Sequence, residues 1–244
     1  MQDRLFADPE LVQFYDIENG WADDTRYCLA LAKDSRSVLD LGCGTGLLAA
    51  ALGHSRDVVG VDPAGAMLDV ARAREGGAGV TWVEADARTV RSGRRFDLIV
   101  LTGHAFQCFL TDEDQRAVAR TIAAHLEPDG TFVFDSRNPA CEEWREWTPE
   151  LSRRIIRHPR LGQIEAWNDV AFDAGREIAT YGTFYRAEDG RLWEAQSSIR
   201  FASMDTIATG LHEAGLIVKQ WLGNWQGEAF RADASEMIAV GRLG

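Results

Sequence analysis

The sequence predicts an α/β fold: a mostly parallel sheet between two layers of helices, with an antiparallel β-meander inserted after the fifth strand. Three observations carry this. Strand-like apolar runs alternate with helical patterns from Ser37 to Asp135, and that alternation packs helices against a parallel sheet. Phe96–Thr102 is apolar nearly throughout, as a strand covered on both faces needs to be. Between 138 and 202 the alternation gives way to period-2 stretches separated by turn signals.

The elements follow in order. Residues 1–34 read as helical, with the aromatic stretch Phe14-Tyr15-Asp16 and then Trp21. The first strand is Ser37–Leu41, with a helix to about Gly53. The second is Asp57–Val61, with a helix from about Ala64 to Arg74. Val80–Glu84 and Phe96–Thr102 are the third and fourth strands. The helix near Asp112–His125 starts with Thr111 as N-cap and acids in its first turn. Glu127-Pro-Asp-Gly130 reads as a turn before a fifth strand, Thr131–Asp135. The meander runs through Arg154–His158, Gly162–Phe172, Glu177–Arg186 and Leu192–Phe201, and it is rich in aromatics. A helix, Met204–Glu213, stops at Gly215, and two strands, Ile217–Leu222 and Met237–Arg242, close the pattern. The expected division is one domain from 1–137 with 203–244, and an inserted subdomain at 138–202.

Bulk properties narrow the function. The chain has 244 residues, 45% of them hydrophobic, and a formal charge of −12. That balance disfavours a nucleic-acid substrate, which needs a concentrated basic surface. No apolar run reaches the roughly 18 residues of a membrane-spanning helix, and the N-terminal residues show no signal-peptide core. Four scattered cysteines, Cys28, Cys43, Cys108 and Cys141, form no C-x-x-C pair and read as reduced thiols of a cytoplasmic protein. The expected state is a monomer or homodimer.

The most informative segment is Val38–Leu47, which reads V-L-D-L-G-C-G-T-G-L. A strand ends in a loop with Gly42, Gly44 and Gly46, and a helix starts at once. In an open α/β sheet this crevice is where nucleotide-like ligands bind, and the helix start presents free N–H groups. Dinucleotide loops read G-x-G-x-x-G; here the third glycine comes one residue early. Asp40 precedes the loop, poorly placed for a pyrophosphate and well placed for a ligand carrying an ammonium group. Cys43, inside the loop, reads as a small packing residue. The loop D-L-G-C-G-T-G resembles motif I of class I methyltransferases, which bind S-adenosylmethionine (SAM).

Other segments extend the resemblance. Val58-Val-Gly-Val-Asp62 ends the second strand in an acid able to accept from a ribose diol, and the same carboxylate can cap the helix that begins at Pro63. Val83-Glu-Ala-Asp86-Ala-Arg88 puts Asp86 where it can accept from an adenine amine. Pro63, Met67 and Ala87 are the apolar candidates for the adenine faces. Thr102 and Gly103 end the fourth strand beside the same crevice and would flank the methionine end. With Leu126-Glu-Pro-Asp-Gly130-Thr-Phe, these segments are similar to the ordered motifs of a class I SAM-dependent methyltransferase over residues 36–136. The resemblance implies a Rossmann-like three-layer sandwich with a seven-stranded sheet whose last strand runs antiparallel. It implies SAM as cofactor, S-adenosylhomocysteine as product, no metal, and in-line methyl transfer to a small molecule.

On the acceptor side the residues give candidates rather than a pattern. His104 is the base candidate, because its ordinary pKa lies near neutrality. Gln107 and Trp21 are candidate substrate contacts. In small-molecule methyltransferases that the chain resembles, an N-terminal F-Y-D-like segment folds over the cofactor, which makes Tyr15 the second catalytic candidate. The meander is similar in placement to the substrate cover of N-methyltransferases acting on amino sugars, glycine or sarcosine. The alternative reading is a non-catalytic SAM- or nucleoside-binding regulator.

Overall fold

The computed structural model describes residues 3–244. The chain starts with α1 (Arg4–Ala7), α2 (Pro9–Val12), α3 (Tyr15–Glu18) and α4 (Asp23–Leu31), then β1 (Ser37–Leu41), α5 (Leu47–Leu52), β2 (Asp57–Asp62), α6 (Gly65–Ala73), β3 (Val80–Glu84), β4 (Phe96–Leu101), α7 (Asp112–His125) and β5 (Leu126–Arg137). It continues through β6 (Arg154–His158), β7 (Gly162–Asp173), β8 (Ile178–Ala187), β9 (Leu192–Arg200), α8 (Met204–Glu213), β10 (Leu216–Leu222) and β11 (Glu236–Leu243).

Among the described residues the strands form two sheets. The larger has seven strands in the order β10-β11-β5-β4-β1-β2-β3. β1 to β5 pair in parallel, with Leu39 opposite Val59 on one side and Ile99 on the other. β11 runs antiparallel between β5 and β10. The period-2 pattern of each strand sends alternate residues to opposite faces. Leu39, Leu41, Ile99, Leu101, Phe132 and Phe134 pack with Ile122, Ile207 and Leu211 of α7 and α8. Val38, Val58, Leu98, Val100 and Val133 pack with Cys28, Leu48 and Leu52 of α4 and α5. Burying each large side chain contributes roughly 1.5–3 kcal/mol, so two such faces fix the strand registers as well as the layers. This is the expected three-layer, mostly parallel seven-stranded architecture.

Two details differ from the sequence reading. β5 begins at Leu126, not Thr131. Its pairing jumps from Leu126 to Thr131 while β4 advances only from Phe96 to Leu98, so the Glu127–Gly130 turn is bulged out within the strand. The N-terminal stretch is helical, as expected, but in short pieces rather than one run. Asp3 and Asp8 each accept from a backbone N–H two residues on and restart the chain as α1 and α2, with Pro9 at the first position of α2. Short carboxylate side chains compete for backbone donors in this way.

The second sheet is the expected antiparallel meander, in the order β6-β7-β8-β9. Cross-strand partners such as Val170–Tyr181–Ser197 and Ala166–Tyr185–Trp193 share one face. The segment 3–18 lies across that face as a strap. Phe14 is fully buried, stacked on Tyr185 at 4.2 Å between ring centroids and edge-on to Trp193 at 5.3 Å.

Candidate active site

The glycine loop connects β1 to α5. Gly42, Gly44 and Gly46 all have positive φ, which residues with a Cβ rarely adopt. At Gly46 there is also no room: a β-carbon would lie 2.4 Å from the Trp82 ring and 2.8 Å from Ala71 Cβ. At Gly44 the space opens onto Tyr15, whose hydroxyl lies 3.7 Å from where that carbon would be. The expected packing role of Cys43 agrees with its sulfur standing 3.1 Å from a β-carbon on Gly60.

Asp62 binds this turn and the entry to the next helix. One oxygen accepts from Gly44 N–H at 2.9 Å and the other from Ala64 N–H at 2.8 Å. The carboxylate thereby ties the loop to the start of α6, and each oxygen keeps a lone pair. Asp40 is 3% exposed. Burial, and then the neighbouring Asp62, push its carboxyl up to about 7. Burial also raises Asp62, against the two backbone hydrogen bonds that lower it. Two acids held this way create a demand for a cation, and SAM carries both an ammonium and a sulfonium. The residues therefore fit that group.

Other candidates fall around the same loop. Met67 and Ala87 are buried, while Pro63 and Gly103 are exposed and Thr102 is half-buried. Met67 packs with Tyr15 and Ala64. Asp86 turns its carboxylate onto Arg88, which donates to it from Nε, Nη2 and the backbone; these hydrogen bonds hold its carboxyl below the usual range.

The strap is fastened to the loop. Thr45 Oγ1 donates to Asp16 Oδ1 at 2.5 Å, Arg74 pairs with the other oxygen of Asp16, and Arg74 Nε donates to the carbonyl of Thr45 at 2.9 Å. Farther along, Glu18 accepts from the Tyr185 hydroxyl and pairs with Arg154, and Asp3 accepts from Ser197. Acids of the strap thus reach the glycine loop and the second sheet. Tyr15 lies close enough to Asp62, Cys108 and Tyr181 to feel their charges, so strap, loop and second sheet meet here, and the space where they meet is the candidate crevice. Burial comes first in raising the Tyr15 and Tyr181 hydroxyls, so both stay protonated donors.

His104 lies at the end of the crevice nearest β5 and β11. Its φ is 60°, an uncommon value outside glycine, and its backbone N–H donates to Asp135 Oδ1 at 3.0 Å. Its Nε2 is 3.0 Å from both oxygens of Glu236 and 3.6 Å from Asp135 Oδ2. One donor atom from each of these three residues lies within 4.8 Å of the others, but the imidazole spends Nε2 on the carboxylates rather than presenting it outward. Gln107 is fully buried. Its amide donates to the carbonyl of Arg200 and accepts from Arg137, so it holds the loop rather than lining the crevice. Trp21 is 44% exposed in the turn between α3 and α4. Sequence reasoning missed Arg137, which packs over the Trp147 ring at 5.3 Å, and it missed Cys108, Tyr181, Asp135 and Glu236. Of these only Tyr181 carried a signal, its inward phase in a period-2 run.

The fold and this loop agree with what the comparisons show: part of the chain matches a methyltransferase domain, and over nearly its whole length it is similar to a methyltransferase. The family model described as "Methyltransferase domain" matches residues 38–130. Over 248 aligned positions the chain is 28% identical to the cypemycin N-terminal methyltransferase of a Streptomyces species, covering 98% of each chain. Its structure is similar to the CcbJ methyltransferase from Streptomyces caelestis, with TM-score 0.76, 23% identity and coverage of 91% and 94%. It is likewise similar to the sugar N-methyltransferase KedS8 from a Streptoalloteichus species, with TM-score 0.72, 18% identity and coverage of 94% and 91%. Among the described residues no helix is long and apolar enough to cross a membrane.

Proposed function

We propose that this enzyme methylates the nitrogen of a small-molecule amine, by in-line transfer within the crevice between strap and second sheet. The observation that carries this is the acidic floor beside His104, built by Asp135 and Glu236, with the hydroxyl-bearing rings of Tyr15 and Tyr181 close to one another. Such a floor attracts a protonated amine, and aromatic faces hold one by cation–π contact. The relatives named for N-terminal and sugar N-methylation support the nitrogen as acceptor atom.

In this reading the main chain of Gly42, Cys43, Gly44 and Gly46 cradles SAM, Asp40 faces its ammonium and Asp62 its ribose hydroxyls. Pro63, Met67, Asp86 and Ala87 surround the adenine, and Thr102 and Gly103 flank the methionine end. Bound SAM supplies an electrophilic methyl group on a charged sulfur. The protein aligns the nucleophile, excludes water through strap and second sheet, and removes a proton from the ammonium of the acceptor through His104. Tyr15 orients the amine. Residues 138–202 act as the substrate cover on a SAM-binding domain made of 1–137 and 203–244.

A panel of amino-sugar nucleotides and short peptides, each paired with its hydroxyl counterpart, tests this by S-adenosylhomocysteine release and by locating the new methyl group. Transfer to nitrogen is expected. Transfer only to oxygen or carbon would overturn the acceptor assignment, and a folded protein that fails to bind SAM in calorimetry would overturn the whole reading.

A further inference from the structure

Resting on that reading, we infer that Glu236, backed by Asp135, is the positioning residue that sets which nitrogen of His104 takes the acceptor's proton. Glu236 opens β11, and no local motif surrounds it, yet both its oxygens lie 3.0 Å from Nε2 of His104. Asp135, in the adjacent strand opposite Ile238, approaches the same nitrogen at 3.6 Å and also accepts the His104 backbone N–H. Carboxylates accept only, so Nε2 must carry a hydrogen toward them. The neutral ring then holds its lone pair on Nδ1. A carboxylate fixing one ring nitrogen so that the other serves as base is the logic of a hydrolase triad, here built from the ends of two neighbouring strands.

Two features show that the ring is held in place. The left-handed backbone of His104 persists because Asp135 takes its N–H, as strained residues need surrounding structure to fix them. The charges also balance. Burial opposes the imidazolium, Arg137 of β5 opposes it further, and Asp135 and Glu236 outweigh both, so the ring's affinity for protons rises. Asp135 itself is 1% exposed; burial pushes its carboxyl up to about 6, with Glu236 and Asp24 of α4 adding to that and His104 opposing it. In the transfer, an acceptor ammonium gives its proton to Nδ1 and the freed lone pair forms the N–C bond. The C–S bond breaks with its electron pair left on sulfur, and the imidazolium formed sits against two carboxylates.

The test uses the full chain with ¹⁵N-labelled histidine, S-adenosylhomocysteine bound, and Glu236→Gln, Glu236→Asp and His104→Asn variants. The neutral His104 ring should show hydrogen on Nε2, and Glu236→Gln should lower its titration midpoint by about one unit. With an amino-sugar nucleotide and a short peptide as acceptor probes, Glu236→Gln should lower kcat by about 10²-fold. The acid limb of the pH profile should move to lower pH and the SAM Kd should stay within about twofold. Glu236→Asp, which keeps the charge, should recover the limb. Hydrogen on Nδ1, or an unmoved midpoint in folded Glu236→Gln, would overturn the inference. So would activity lost to EDTA and restored by Mg²⁺, which would make the three side chains a metal site. If His104→Asn turns over like the parent, the base assignment itself falls; if it is inactive while Glu236→Gln is unaltered, only the positioning role falls.

Discussion

The proposed donor and acceptor halves of the crevice are built by opposite means. The donor half is one turn of main chain, Gly42 to Gly46, tied by a single carboxylate, Asp62, eighteen residues from Gly44. The acceptor half is assembled from side chains far apart in sequence: Asp3 with Ser197, Glu18 with Tyr185, and His104 with Glu236, 132 residues apart. A backbone cradle demands residue types at fixed spacing. A side-chain assembly demands only that the fold bring its members together. The first can serve one cofactor unchanged while the second is rebuilt for a different acceptor.

Substitutions can break or sharpen that contrast. The largest effect is expected in the strap. Phe14→Ala removes a fully buried ring from between Tyr185 and Trp193 and should cost about 3–5 kcal/mol in denaturant unfolding. A loss below about 1 kcal/mol would show that the second sheet does not depend on the strap. Next, Asp62→Ala leaves two backbone donors without an acceptor and should weaken SAM binding by about 10- to 100-fold in calorimetry. Unchanged affinity would refute its part in the donor half.

Asp40→Asn sharpens the contrast through pH. The folded carboxyl sits at about 7, above its ordinary 3.8. Its protonated form therefore favours the fold in acid, and that contribution is lost as pH rises from about 4 through 7. The variant should unfold at a higher temperature than the parent at pH 8, with little difference at pH 4, and should bind SAM more weakly. A parent whose Tm does not respond to the substitution at pH 8 would show that Asp40 is not held this way. The smallest effect belongs to the outer face of the meander. Arg186→Ala removes a half-exposed cation over Trp167 and should change stability by no more than about 1 kcal/mol, leaving both halves as they were.

What the sequence made legible follows the same division. The sheet, its strand bounds to within a residue or two except at the start of β5, and the meander were all readable, because period-2 runs and glycine turns are local signals. Asp62 was readable at a strand end. The Glu127–Gly130 bulge was not, since a turn within a strand keeps turn residues. Gln107 looked like a pocket residue because it is polar beside the crevice, but only the tertiary fold shows its amide consumed by Arg137 and Arg200. Glu236 had no signal at all. Its contact with His104 exists only through the antiparallel pairing of β11 with β5, which carries it there.

The strap has one more consequence, for how occupancy can be watched. Its helices are four residues long, and helices that short owe little to their own hydrogen bonds. Their amides should exchange with solvent early, through local opening. Tyr15 and Asp16 fasten the strap to the glycine loop, so filling the loop should slow exchange from residue 10 to 18 while leaving the β4 and β5 amides as slow as before. Hydrogen-exchange mass spectrometry on this one peptide would then read donor binding without any acceptor in hand.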